Sequence, residues 1–316
     1  MARESVSPTT SPVLVLTGPT ASGKTEISLQ IAREMNAEIV SADSRQLYRY
    51  LDIGTAKPLP SERMDIPHYG FDVADPYERY SAGRFASEAR GWIQEVLSRG
   101  KPVVVVGGSG LYIEALMEGF YGGEDVSDYE VRRELNLRAK REGLEALYEE
   151  LCELDPAYAE KISRGDKQRI FRALEVVFVS GKPFSDLHGR ERDKAPFTAY
   201  WVALDLPREV LYGRINRRVE AMMDRGLLRE VRDLLDRGYR EANALKSVGY
   251  MEIIDLLDGK FPDIETAVDA IQKNTRQFAK RQLTWFRRYE QLLWIAGNRP
   301  PGITAEEILA LWHPAV

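Results

Sequence analysis

The sequence is poor in the residues that build disulfides and metal centres. It has one cysteine, Cys152, which excludes an internal disulfide and a cysteine-based zinc site. The three histidines, His68, His188 and His313, are scattered, which argues against a His-rich metal centre. No apolar run approaches the length of a membrane span, and the short polar start does not predict a signal peptide. We therefore expect a cytoplasmic protein without a membrane partner.

The chain also lacks an excess of positive charge. It carries 44 basic and 49 acidic side chains, a formal net charge of −5, which argues against a sequence-blind polyanion binder but permits a local basic stripe. The composition, 44% apolar and 29% charged, is that of an ordinary globular protein. At 316 residues, one large domain or two are expected.

The most informative stretch is a glycine-containing turn that joins an apolar run, Val13–Leu16, to a helical pattern. Strand, turn and helix in this order are the context of a P-loop. Its N–H groups converge on an anion at the positive end of the helix. A lysine then reaches the outer phosphate, and a threonine hydroxyl can ligate Mg²⁺. The predicted phosphate-binding residues are Gly18, Pro19, Thr20, Ala21, Ser22, Gly23, Lys24 and Thr25.

Two further turns follow predicted strands. The strand at 38–41 leads to Asp43, and the β-branched run at 103–106 leads to Gly107-Gly108-Ser109-Gly110. Residues beyond the carboxyl ends of parallel strands face the ligand crevice, so Asp43 is expected beside the P-loop. It is either a Mg²⁺ partner or general base, or only the cap of a turn. The glycine-rich turn is either a plain strand-to-helix connection or a place where substrate approaches the backbone closely.

The remaining pattern predicts an α/β fold with a P-loop-type parallel sheet flanked by helices and an all-helical insertion. Residues 51–75 read as a loop in which His68 is packed or hydrogen-bonded. Strand patterns vanish over 119–195, which is the predicted insertion domain, and 1–118 with 196–316 form the core domain. A basic cluster within the insertion is either a solvated face or a binding surface. Its members are Lys161, Arg164, Lys167, Arg169 and Arg172.

The last long helix is predicted over 264–289. Ile271, Phe278 and Trp285 are seven residues apart and share an apolar face. Lys273, Arg276, Lys280 and Arg287 lie on roughly the opposite face, which carries almost no acids. This basic stripe suits contact with a phosphate backbone.

Together these segments resemble the tRNA dimethylallyltransferases, also called tRNA isopentenyltransferases. Besides the P-loop, the matching runs cover nearly the whole chain in order: residues 41–48, 52–58, 106–112, 168–169, 172–175, 247–250 and 275–282. The resemblance implies that dimethylallyl diphosphate, rather than ATP, occupies the P-loop. It implies that the acceptor is the exocyclic amine of the adenosine just 3′ of a tRNA anticodon.

The resemblance also implies roles for individual residues. Lys24 and Thr25 hold the diphosphate and Mg²⁺, Asp43 accepts the amine proton, and Arg218 supports the leaving diphosphate. Where relatives often have threonine, Ser109 keeps the hydroxyl. The single cysteine excludes the C-terminal zinc finger of some eukaryotic relatives, so the chain looks bacterial in type, and we expect a monomer. The implied tRNA contacts are Asp43, Ser44, Arg45, Gln46, Ser109, Arg132, Gln168, Arg169, Ile170, Phe171, Arg172, Lys246, Gly249, Tyr250, Arg276 and Lys280.

Three alternatives remain open from the residues alone. A small-molecule kinase would use ATP on the same P-loop, but it would leave the basic helix without a role. Prenyl transfer to a free adenine nucleotide would need no insertion. A non-enzymatic RNA-binding switch would leave no task for a carboxylate beside the P-loop.

Overall fold

The chain divides into two units, which are described separately. One comprises Met1–Leu116 with Ala195–Val316, and the other comprises Met117–Lys194. The structure, a computed structural model, describes residues 12–119, 128–188 and 194–312. Within these residues no helix combines the length and the apolar character that crossing a membrane requires.

A six-stranded sheet is the centre of the first unit. Its strands are β1 (Val13–Thr17), β2 (Glu38–Ser41), β3 (His68–Tyr69), β4 (Val103–Val106), β5 (Ala199–Asp205) and β6 (Leu293–Ala296). All the strand pairs are parallel, in the order β3-β2-β4-β1-β5-β6. Each residue of β1 is buried because strands and helices cover it on all sides, which explains its continuous apolar sequence.

Helices connect these strands in the manner of α/β proteins, which confirms the predicted fold class. The two helices at the ends of the chain, α1 and α13, pack together, and Ile31 and Ile308 are fully buried in the core that they share with β1. The helices outside the insertion are α1 (Lys24–Met35), α2 (Ala82–Ser98), α3 (Gly110–Glu118), α9 (Arg208–Asp224), α10 (Leu227–Asp236), α11 (Tyr250–Leu257), α12 (Ile264–Phe286) and α13 (Pro301–Leu311).

The prediction of a continuous loop over residues 51–75 is wrong at one point. His68 and Tyr69 form β3, which pairs with Ile39 and Val40 at the edge of the sheet. Two residues are too few for a periodic pattern, and the flanking Pro67 and Gly70 indicate a turn. His68 is hydrogen-bonded as expected, with its Nδ1 2.7 Å from the carbonyl oxygen of Ile66.

The second unit is helical over its described residues. Its core is formed mainly by α5 and α7, and Leu147, Leu151 and Leu174 are completely buried there. Its helices are α4 (Tyr129–Arg141), α5 (Leu144–Leu154), α6 (Pro156–Ala159), α7 (Lys167–Ser180) and α8 (Phe184–His188).

Two of the implied tRNA contacts belong to this core. Ile170 is 0% exposed and Phe171 is 4% exposed, so their side chains pack inside the helical unit, and their contact with tRNA stays a prediction. They lie on the inner face of α7, while Gln168 and Arg169 on the same helix are exposed.

Candidate active site

Three turns meet at the carboxyl edge of the sheet because β2, β4 and β1 are neighbours. The turn after β4 is hydrogen-bonded to both adjacent strands: the N–H of Gly107 donates to the Leu16 carbonyl (3.2 Å), and the N–H of Ala42 donates to the Val106 carbonyl (2.8 Å). The hydroxyl oxygen of Ser109 accepts the N–H of Ser44 at 2.9 Å. The predicted position of Asp43 beside the P-loop is therefore confirmed, while its role stays a prediction.

Close approach explains why the turn after β4 is built from small residues. A Cβ atom on Gly107 would lie 2.1 Å from the carbonyl oxygen of Ala42. A Cβ atom on Gly108 would lie 2.3 Å from Nε2 of Gln282, and one on Gly110 would lie 2.1 Å from the Trp285 ring. None of these contacts is possible for a larger residue, so the glycines serve packing between the turns and α12.

The P-loop has the backbone conformation that its glycines permit. Gly18 (φ 140°) and Gly23 (φ 96°) both have positive φ, and Gly23 precedes the first residue of α1. Thr20 is held from outside the loop, since its N–H donates to Oε1 of Gln282 at 2.8 Å. The other end of the same amide donates to the Gly108 carbonyl at 2.9 Å, so one side chain of α12 joins two of the three turns.

Lys24 folds back onto the loop that carries it. Its ammonium group donates to the carbonyls of Gly18 (2.9 Å) and Pro19 (2.7 Å). Burial of the ammonium group and, to a smaller extent, the positive charge of Arg218 lower the pKa of Lys24 to about 7, while the negative charge of Asp43 acts in the opposite direction. A diphosphate would restore the lost stabilisation of this charge, so the site favours an anionic ligand.

Arg218 on α9 is the second cation of the site. Burial lowers the pKa of its guanidinium group, and the negative charge of Asp43 opposes that shift. The charges of Lys24, Asp43 and Arg218 therefore act on one another. This grouping is the one expected for the predicted catalytic residues, whose roles stay predictions.

Asp43 uses one carboxylate oxygen to hold its own turn. Oδ1 accepts the N–H groups of Arg45 (2.9 Å) and Gln46 (3.3 Å), so the alternative of a turn cap is part of what this residue does. Among the described residues, no hydrogen-bond partner of Oδ2 is found. The carboxylate lines the cavity together with Lys24 and Thr25, so it is placed to act on a ligand.

A cavity of about 420 Å³ joins these polar groups to an apolar wall. Its polar end includes Thr20, Lys24, Thr25, Asp43 and Arg218. The apolar wall is contributed by α9, α12 and the segment before α11, and its side chains are Ile215, Val219, Met222, Val248, Ile271 and Phe278.

The cavity explains why one residue of the predicted apolar face of α12 is exposed. The predicted apolar face is present, and Ile271 is 1% exposed, but Phe278 is 39% exposed because it borders the cavity. On the opposite face Lys280 is exposed. Arg276 is half-buried, and its Nη1 donates to Oδ1 of Asn216 on α9 at 2.7 Å.

A second cavity, of about 670 Å³, also borders the P-loop. It shares Lys24, Thr25 and Arg218 with the first cavity, and its further basic residues include Arg214 and Arg299. The predicted phosphate-binding residues thus border two cavities.

The structure brings only part of the implied tRNA-binding set to the first cavity. Its lining includes Ser44, Arg45, Gln46, Ser109, Lys246, Gly249 and Tyr250. Tyr250 is 0% exposed, and its hydroxyl donates to Glu230 at 2.6 Å, so its side chain is engaged within the protein, and its contact with tRNA stays a prediction.

Of the implied contacts outside this cavity, Arg276 and Lys280 lie on α12. The others lie in the helical unit, where three arginines pair with acidic side chains. Arg132 and Arg172 both pair with the buried carboxylate of Glu175, at 3.2 and 3.4 Å. Arg169 pairs with Asp166 at 3.5 Å.

Two residues that shape the P-loop were not predicted as site residues. Gln282 is described above. Arg214 on α9 donates from Nη1 to the carbonyls of Ser22 and Gly297, both at 3.1 Å. Neither role can be read from local sequence, because the partners are 262 and 192 residues away.

The residues present fit a magnesium ion. Thr25 and Asp43 offer a hydroxyl and a carboxylate, the hard oxygen donors that Mg²⁺ prefers, and both line the cavity. No cluster of three or more His, Cys, Asp or Glu side chains suited to a metal is found within the described ranges. Mg²⁺ commonly needs only one or two protein ligands when substrate phosphates supply the others.

The fold and this cavity place the chain among the P-loop α/β proteins that bind phosphorylated ligands. Comparison with known proteins narrows the class. The family model described as IPP transferase matches residues 46–289, and one described as isopentenyl transferase matches residues 11–67. A tRNA dimethylallyltransferase of Salinibacter ruber is 46% identical over 307 residues, 96% of this chain and 93% of that protein. One of Acetivibrio thermocellus is 43% identical, covering 90% and 91%.

Solved structures with a similar fold come from the same family. A tRNA isopentenylpyrophosphate transferase of Bacillus halodurans has a TM-score of 0.69 at 37% identity and covers 94% of this chain and 93% of its own. A eukaryotic dimethylallyltransferase described as acting on tRNA has a TM-score of 0.78 at 27% identity, covering 90% and 73%. The chain belongs to the tRNA dimethylallyltransferase family, and it is a transferase. The family predicted from the sequence is confirmed, which disfavours the kinase and the binding-switch alternatives.

Proposed function

We propose that the protein transfers a dimethylallyl group from dimethylallyl diphosphate to N6 of the adenosine 3′-adjacent to the anticodon of tRNA, and releases diphosphate. The observation that carries the proposal is the cavity in which phosphate-binding groups and a carboxylate share one space with an apolar wall. A donor with an anionic head and a five-carbon apolar tail matches both ends of this space.

The apolar wall distinguishes this donor from a nucleoside triphosphate. Burying each CH₂-sized group is worth about 0.8 kcal/mol, so a fully buried dimethylallyl group gains about 4 kcal/mol. Val219, Met222 and Phe278 offer such a surface. A ribose placed against it would lose hydrogen bonds to water without replacement.

In the proposed reaction the amine nitrogen attacks C1 of the dimethylallyl group while the bond from C1 to the diphosphate oxygen breaks. The electron pair of that bond leaves with diphosphate. The surplus proton on N6 passes to Asp43, whose Oδ2 remains available while Oδ1 holds the turn. Because adenine amines are poor nucleophiles, position and a base near N6 are both needed.

Negative charge grows on the diphosphate as the bond breaks. The P-loop N–H groups, Lys24 and Arg218 are fixed around that position, so they bind the transition state more strongly than the substrate. Thr25 would hold Mg²⁺, which would neutralise charge on the diphosphate when bound.

Recognition of tRNA is proposed to involve residues from several separate segments of the chain. The target base must leave the anticodon-loop stack to reach the cavity. Lys246, Arg276, Lys280 and the exposed side chains of α7 are proposed to contact the RNA, with the helical unit acting as a clamp. We also propose that the protein is a monomer and acts in the cytoplasm.

The test is transfer of label from dimethylallyl diphosphate to tRNA in the presence of Mg²⁺. Asp43→Asn keeps the size of the side chain but removes the base, so the single-turnover rate should fall by ~10² to 10⁴. Asp224→Asn, the same change at an exposed position of α9, is the control.

A Mg²⁺ titration separates base from metal ligand. If excess Mg²⁺ restores Asp43→Asn, the carboxylate acts through the ion. ATP hydrolysis in place of label transfer by the wild type would refute the proposed function.

A further inference from the structure

Glu230 on α10 is an acidic residue that the reaction described above does not use. Its carboxylate accepts four hydrogen bonds. Oε2 accepts the N–H groups of Asp52 (3.1 Å) and Ile53 (2.7 Å), and Oε1 accepts the N–H of Gly54 (3.1 Å) and the hydroxyl of Tyr250 (2.6 Å). Three successive backbone N–H groups thus donate to one side chain that is 176 to 178 residues away in the sequence.

The turn at 52–54 has no freedom to shift toward α11. A Cβ atom on Gly54 would lie 2.5 Å from the ring of Tyr250, so backbone and ring are already in contact. Tyr250 is itself 0% exposed. Hydrogen bonds to a carboxylate are stronger than those to a neutral acceptor. Glu230 therefore fixes this turn against a rigid surface.

The residues that follow this turn hold the side chain of Gln46. The Nε2 group of Gln46 donates to the carbonyls of Thr55 (3.1 Å) and Ala56 (3.2 Å), and its Oε1 accepts the hydroxyl of Ser41 at 3.3 Å. The side-chain amide is thereby fixed between the turn and the end of β2. The backbone N–H of the same residue donates to Oδ1 of Asp43 at 3.3 Å.

We propose that Glu230 is a positioning residue for Asp43, acting through the turn at 52–56 and Gln46. The inference rests on the proposed function, in which Asp43 is the base. The phosphate-binding groups are held by other residues, Gln282 and Arg214, so loss of Glu230 should impair proton transfer without loosening the donor.

The decisive variant is Glu230→Gln, which keeps the shape but replaces one acceptor oxygen by an NH₂ group. That group faces N–H donors, so at least one of the four hydrogen bonds becomes a repulsion. Misplacing a catalytic group by about 1 Å costs about 10²-fold. We expect kcat to fall about 10- to 100-fold, with the KM for dimethylallyl diphosphate within about twofold of the wild type.

Four further proteins complete the experiment, one of which is the single variant Gln46→Ala. Asp233→Asn, an exposed carboxylate on the same helix, should behave as the wild type. Tyr250→Phe removes one of the four donors and should lower kcat a few-fold, which keeps the test available if Glu230→Gln fails to fold. The double variant Glu230→Gln with Gln46→Ala should lose no more than the worse single variant, because both changes break one connection.

The outcomes are separable. Wild-type kcat in a folded Glu230→Gln protein, a raised KM for the donor with unchanged kcat, or additive losses in the double variant would each overturn the inference. If Glu230→Gln does not fold, a wild-type kcat in Tyr250→Phe overturns it. Wild-type protein that transfers no label would refute the proposed function and this inference with it.

Discussion

The pKa of Lys24 predicts how donor binding depends on pH. Burial, then the charge of Arg218, lowers this pKa to about 7, so the unliganded protein loses the proton of Lys24 above neutral pH. A diphosphate binds best to the charged form. Donor binding above pH 7 must therefore take up a proton, and the affinity should decrease as the pH rises.

The size of the effect follows from the pKa. Well above pH 7, each further pH unit should weaken binding about tenfold, equivalent to about 1.4 kcal/mol. At pH 8 about 0.9 proton should be taken up per donor bound, if Lys24 is fully charged in the complex. The donor's own ionisation contributes little to the measured proton uptake, since its last phosphate group ionises at pH ~6.

Isothermal titration calorimetry measures both quantities. Dimethylallyl diphosphate without tRNA is titrated at pH 7, 8 and 9, at constant Mg²⁺, in two buffers of different ionisation enthalpy. The difference between the buffers reports the proton uptake. Arg218→Gln removes the neighbouring cation, so the decrease should begin at a higher pH, whereas Lys280→Met, a change outside the cavity, should leave it unmoved.

A constant affinity between pH 7 and 9, with no proton uptake, would refute this reasoning. It would mean that Lys24 either keeps its proton in the free protein or does not meet the diphosphate.

Two further predictions concern the RNA and the fold. Replacing Arg276 and Lys280 together should weaken tRNA binding and reduce its salt dependence by about one unit of slope per lost phosphate contact; an unchanged slope in a filter-binding titration would identify an ordinary solvated face. Gly107→Ala should lower the free energy of unfolding by roughly 1–3 kcal/mol or more, because its Cβ would lie 2.1 Å from the Ala42 carbonyl oxygen. Gly91→Ala, whose Cβ meets nothing within 4 Å on α2, is the control and should be neutral or stabilising in denaturant unfolding.

The features that were predictable are those encoded within a short stretch. The P-loop is recognisable because strand, glycines and helix follow each other between Val13 and Met35. The location of Asp43 follows from a general property of parallel sheets, that the ends of neighbouring strands meet at one edge.

The features that were missed depend on distant partners or on burial. Two residues on α7, Ile170 and Phe171, have neighbours on the same helix that are exposed, and only packing separates the two faces. Similarly, the sequence around Tyr250 gives no sign that its hydroxyl is directed to Glu230. A resemblance to a family identifies a segment near the substrate, but it does not tell which side chains of that segment face it.

Gln282 shows why the distant residues matter to the chemistry. An amide N–H has one hydrogen to donate, and that of Thr20 is already committed to Oε1 of Gln282. In this arrangement the N–H of Thr20 is therefore not offered to an anion. Because the same glutamine also binds the Gly108 carbonyl, α12 sets the spacing between the P-loop and the turn that carries Ser109. Reaction of a bound donor with the adenine of the acceptor requires that this spacing be constant to within a fraction of an ångström. The glutamine thus supplies, from outside the P-loop, a constraint that the P-loop cannot supply for itself.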